Sequence, residues 1–246
     1  MATMREPSAF GEVFVEPSDL DAAFEPAAGQ TQPSEFMKEA TAIESGKSPV
    51  EEIESFFDLA IDELTALRTR AEADAIERAA DLILESESLG GRVHVTGIGK
   101  SEHIARYVAA LLSSTGTPAY FLHATECVHG SVGQVCDNDI TIAISNSGTT
   151  PELLHAIDVL RESHIKVIAV TGDADSPLAR VADVMLHAGV DNEGGALNIV
   201  PRASILAKVY VLCALSVALE AHKGLTREQY ARWHPGGALG RLARGE

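Results

Sequence analysis

The chain has 246 residues, 46% of them hydrophobic, which is enough to bury a full core without requiring a second domain. Its net charge of −17 sits mostly in residues 1–90, which hold 21 acidic and 6 basic side chains and argue against nucleic-acid or anionic-membrane partners. No apolar run reads as a membrane span, no leader pattern opens the chain, and Cys127, Cys136 and Cys213 lack metal-type spacing, all of which suit a reducing cytoplasm.

Residues 1–34, rich in Pro, Glu, Ala and small residues, read as a mobile acidic arm, and residues 35–246 as a single domain. From about residue 35 to 89 the pattern turns helical. Phe56, Leu59, Ala60, Leu64 and Leu67 recur at helical spacing, as do Ala75, Ile76, Ala79, Ala80, Ile83 and Leu84, which predicts two or three helices closed by Gly90-Gly91. Strands are then predicted over 93–96, 119–122, 140–144, 167–170 and 184–187, with helices over 101–114, 151–163 and 177–181 between them. A long helix over 199–222, apolar nearly all round, is expected to be buried. Strands alternating with helices predict a doubly wound, five-stranded parallel sheet of flavodoxin-like type with an N-terminal helical extension. Ligands of such sheets sit beyond the carboxyl ends of the strands.

Several segments at that edge carry chemistry. After strand 140–144 the chain reads Ser145-Asn146-Ser147-Gly148-Thr149-Thr150-Pro151, a hydroxyl-rich turn at a helix N-terminus that suits a phosphate; an ordinary capping loop is the bland alternative. After strand 93–96 comes Gly97-Ile98-Gly99-Lys100-Ser101, whose glycines permit close backbone approach and whose Ser101 can cap the next helix. The spacing matches neither a P-loop nor a dinucleotide fingerprint. His123, Glu126 and His129 form a possible weak metal site, though no metal is required. Glu193, beside two glycines, is a candidate general base, and His234 is held by Pro235 and the glycines that follow.

Together these pieces resemble the sugar isomerase (SIS) domain family, in its arabinose-5-phosphate isomerase-like branch. The resemblance is carried by Gly97-Ile98-Gly99-Lys100-Ser101, Ser113 to Pro118, His123, Glu126, His129-Gly130, Ser145-Asn146-Ser147-Gly148, Thr171-Gly172, Ala182-Asp183-Val184, Glu193 and His234 to Arg241. It implies a homotetramer with shared active sites, and an aldose–ketose isomerisation of a phosphorylated sugar through an enediol, with no cofactor. It implies phosphate held by Ser101, Ser145, Ser147 and Thr150; Gly99, Asn146, Thr149, His129 and Arg202 are further candidates for the ligand surface. Lys100, Glu193 and His234 match catalytic positions. It further leads us to expect a form without the paired CBS domains of many relatives.

The chain departs from the branch pattern at three places. Thr149 stands where the branch has a glutamate, Ser131 where it has an acid, and Arg202-Ala203-Ser204-Ile205-Leu206 where it reads Thr-Ser-Ser-Thr-Thr. The guanidinium gained at Arg202 favours an extra anionic contact. An isomerase of another pentose, tetrose or branched-sugar phosphate, a non-catalytic sugar-phosphate binder, and a metal-dependent hydrolase using His123 and His129 are the alternatives.

Overall fold

In the computed structural model the described residues are 46–246, so the arm expected over 1–34 and the start of the helical segment lie outside them. Ser48 opens helix α1 (Pro49–Arg70) with a reciprocal capping box to Glu51, and Pro49 follows at a position where its missing N–H costs nothing. Helix α2 (Ala73–Ser88) leads into the sheet. The strands are β1 (Val93–Gly97), β2 (Ala119–Phe121), β3 (Ile140–Ile144), β4 (Lys166–Thr171) and β5 (Val184–His187). They pair in parallel in the order β2-β1-β3-β4-β5. Every residue of β1 and β3 is buried, as expected of strands covered on both faces.

Two apolar clusters cover those faces. On one, Val93, Val95, Ile142, Ile144 and Val170 pack with α1, α2, helix α3 (Lys100–Ser114) and helix α7 (Ala203–Lys223). On the other, Ala143, Val167 and Ala169 pack with helices α4 (Ala124–Cys127), α5 (Pro151–Glu162) and α6 (Pro177–Val181). The crossover after β1 therefore runs on one face and the crossovers after β3 and β4 on the other. The switch lies between neighbours β1 and β3, and sheets of this kind bind ligands beyond the carboxyl ends of the strands at that point. At the amino ends, the fully buried Asp139 accepts Arg92 N–H at 2.8 Å and Cys136 N–H at 2.9 Å, with His94 Nε2 2.8 Å away. Burial pushes its carboxyl up, but these partners outweigh that and hold it below the ordinary range.

Two expectations need correction. The long helix starts at Ala203, not 199, because Arg202 takes a non-helical backbone (φ −130°, ψ −68°) and the chain before it is drawn out of helical register. It is also long and apolar enough to cross a membrane by length and composition, contrary to the sequence reading, and half of its most apolar stretch is buried. It packs against α1, α2 and α3 as a core helix, while Leu206, Tyr210 and Val217 remain exposed on its outer side. Helices α8 (Arg227–Trp233) and α9 (Gly237–Arg244) end the chain, packed on each other.

Candidate functional site

The hydroxyl turn after β3 is held from several sides. Ser145, buried, accepts Gly148 N–H at 3.1 Å and lies 3.2 Å from the Thr150 hydroxyl. Gly148 has φ +61°, and a side chain there would strike Ser176. The carbonyl of Asn146 accepts Gly172 N–H at 2.9 Å and the Thr171 hydroxyl at 3.1 Å, which fastens the turn to the end of β4. Ser147 and Thr149 are exposed, and the Thr149 hydroxyl donates to Ser147 Oγ at 2.9 Å. Thr150 opens α5 without capping it and Pro151 takes the first helical position, so the helix end faces outward with donors to offer.

Beside it stands the glycine turn after β1, because Gly97 pairs with Ile144 in register. A side chain at Gly97 would lie 3.0 Å from the Ile144 carbonyl, so only glycine allows this approach. Gly99 (φ +60°, ψ −124°) opens α3 with no side-chain cap. This corrects the capping role expected of Ser101, which lies within the first turn next to the exposed Lys100.

The third part is the loop between β5 and α7. Glu193, half-buried, accepts the backbone N–H groups of Arg202 at 2.7 Å and Ser204 at 3.0 Å through Oε2. It thus caps the positive end of α7, while its Oε1 makes no hydrogen bond among the described residues. Asn198 Oδ1 in turn accepts the N–H groups of Glu193 and Gly194, both at 2.8 Å. From α1, the buried Glu63 accepts Asp191 N–H at 2.9 Å and Asn192 N–H at 2.8 Å. The Arg202 side chain donates to the Gly194 carbonyl at 2.9 Å, a contact that keeps its guanidinium along this loop.

Three groups went unread in the sequence. Lys208, inside α7, donates to Asn146 Oδ1 at 2.7 Å and to the Ser204 carbonyl at 2.8 Å. Its burial drives its pKa down to about 8, against the pull of the Glu193 carboxylate. A lysine in an apolar helical run reads as a solvated exception, and only the packing of α7 reveals it. Glu63 and Asn198 were equally silent, since their partners are remote or irregular.

The carboxyl edge therefore gathers Gly99, Lys100, Ser101, the turn Ser145–Thr150, Glu193 and Arg202. It does not gather His234. Trp233 sits against Gly116, which lies between the end of α3 and the start of β2, so His234 belongs to the opposite, amino edge of the sheet. There its ring stacks on Tyr230 with centroids 3.9 Å apart, and its Nδ1 lies 2.9 Å from the Tyr230 carbonyl. The possible metal trio is not assembled either. His123 lies 2.9 Å from the Thr125 hydroxyl and 3.9 Å from Glu102, His129 is exposed beyond α4, and among the described residues no three His, Cys, Asp or Glu groups converge on a metal position.

A doubly wound parallel sheet with hydroxyl and glycine turns at its switch point defines an α/β domain whose ligand edge is the carboxyl one. The SIS domain family model matches residues 90–218, and the chain belongs to that family. It is 41% identical over 168 residues to the arabinose 5-phosphate isomerase KdsD of Pseudomonas aeruginosa, covering 68% of this chain and 51% of that protein. It is 46% identical over 151 residues to the protein of the same name from Escherichia coli K12, covering 61% of this chain and 46% of that one. The chain thus spans about half the length of the curated relatives it matches. Among solved structures, the E. coli CFT073 protein c3406 in complex with arabinose 5-phosphate aligns at 31% identity with a TM-score of 0.69, over 77% of this chain and 100% of that one.

Proposed function

We propose that this chain is an aldose–ketose isomerase of a phosphorylated sugar, with arabinose 5-phosphate and ribulose 5-phosphate as the nearest template. The observation that carries the reading is a carboxylate, Glu193, with one oxygen fixed by the α7 N-terminus and the other unengaged, on the same sheet edge as the hydroxyl turn. The phosphate is held at Ser101, Ser145, Ser147 and Thr150 by hydroxyls and the α5 N-terminus. Glu193 removes the proton from C2, and that C–H pair forms the C1–C2 double bond as the C1 carbonyl pair moves onto O1. A proton passes from O2 to O1, the C2 carbonyl forms, and the enediol pair takes the proton back at C1. Lys100 stabilises the negative charge that develops on oxygen.

His234 belongs to this chemistry through a second copy of the chain, because its own edge of the sheet faces away from Glu193. A homotetramer with shared sites accommodates this, and the exposed apolar row Val50, Ile53, Phe57 and Ile61 on α1 supplies a surface for such contacts. Asn146, Thr149, His129 and Arg202 complete the ligand surface, and the choice among sugars is made at Thr149 and Arg202, both exposed, where the chain departs from the branch. The setting is cytoplasmic.

Incubation with a panel of aldose and ketose phosphates in deuterated water tests the reading. Interconversion with deuterium appearing at C2 is expected. Binding without exchange for every sugar would make the chain a sugar-phosphate binder instead.

A further inference from the structure

The interior of α7 holds a charge that the isomerisation chemistry leaves unused. Lys208 is 1% exposed. Taking an ammonium out of water is costly unless its partners compensate, and a methionine of similar length would fill the same space without that cost. Its two partners are specific. A lysine ammonium donates and never accepts, so the Asn146 carboxamide must turn its oxygen inward and its Nδ2 outward. Asn146 is exposed, and Nδ2 makes no hydrogen bond among the described residues. The other partner, Ser204, accepts from Lys208 through its carbonyl while its N–H donates to Glu193. The Ser204 hydroxyl is buried with no partner among the described residues.

We propose that Lys208 is a positioning residue of the ligand site, fixing Asn146 as a hydrogen-bond donor to the sugar phosphate and tying the hydroxyl turn to Glu193 through Ser204. The inference rests on the sugar-phosphate reading of this edge. Asn146 on the turn and Ser204 on α7 are neutral, and Glu193 is the ionisable group whose charge bears on Lys208. With burial lowering its pKa to about 8, Lys208 carries its proton at neutral pH and loses it as the pH rises further. The neutral amine can accept as well as donate, so Asn146 is then no longer held in one orientation.

The test compares the wild type, Lys208→Met, Asn146→Ala and the double variant by calorimetry with arabinose 5-phosphate and with inorganic phosphate, at about pH 7 and about pH 9.5. Circular dichroism and thermal melting confirm that each variant is folded. Near pH 7, Lys208→Met should weaken arabinose 5-phosphate about 10-fold, the scale of a lost hydrogen bond to a fixed donor. The double variant should bind no more weakly than Asn146→Ala alone, because both remove the same interaction. The wild type should lose affinity at the higher pH, and Lys208→Met should not. Unchanged affinity in a folded Lys208→Met, or fully additive losses, makes Lys208 a core residue only and overturns the proposal. A wild type that binds but shows no turnover overturns the isomerase reading and leaves this inference to be judged on affinity. Failure to bind either ligand overturns both.

Discussion

Glu193 is asked to do two things at once. Its Oε2 caps α7 and its Oε1 is the oxygen available for proton transfer. Glu193→Gln keeps a carbonyl oxygen for the cap but removes the base, so turnover should fall about 10²–10⁴-fold while ligand binding persists. Single-turnover kinetics alongside calorimetry separates the two; near-normal turnover would move the base elsewhere. Ser147 is simpler, because its exposed hydroxyl accepts from Thr149 and carries no structural load deeper in the turn. Ser147→Ala should weaken phosphorylated sugars by roughly 1–2 kcal/mol and leave the unphosphorylated sugar unaffected. Equal weakening of both would place the phosphate elsewhere.

At the scale of elements, the β5–α7 loop depends on a carboxylate from α1. Glu63 receives Asp191 and Asn192 N–H groups across more than a hundred residues of sequence, and Arg70 lies 3.9 Å away. Glu63→Leu should cost roughly 1–3 kcal/mol for each donor left unpaired. Urea denaturation measures that cost, and faster amide exchange over residues 191–198 than over the sheet would place the damage at the loop. The same loop shows what sequence can and cannot reveal. All five strands were legible, because β-type apolar runs alternate with helical periodicity and glycine turns. Ser145 to Thr150 and Gly97 to Ser101 were legible for the same reason: their residues are local and their chemistry follows from the end of a strand. Glu63 was not, since it sits on a helix face that reads as solvated. Lys208 was hidden because a single charge does not interrupt an apolar period. The onset of α7 was misplaced because Ile199 and Val200 look helical, and the non-helical backbone at Arg202 leaves no mark in hydrophobic spacing.

In the whole molecule, the sheet separates Glu193 from the edge where His234 lies. If a second copy supplies the histidine, a Glu193→Gln chain and a His234→Ala chain, each inactive alone, should regain activity when dissociated and reassembled together. Random mixing of equal amounts restores about a quarter of the sites when two neighbours contribute one group each. Reassembly without recovered activity would return the search for the histidine's partner to its own chain.

The seating of Trp233 on Gly116 makes the protein its own optical reporter. The chain has one tryptophan. That indole lies against a glycine with φ +88° whose missing side chain leaves the ring its place. Its emission therefore reads the docking of α8 against Gly116. In Gly116→Ala the added methyl should displace the ring, shifting emission to the red with little change in circular dichroism. Followed during assembly in the wild type, the same signal shows when the segment carrying His234 comes to rest.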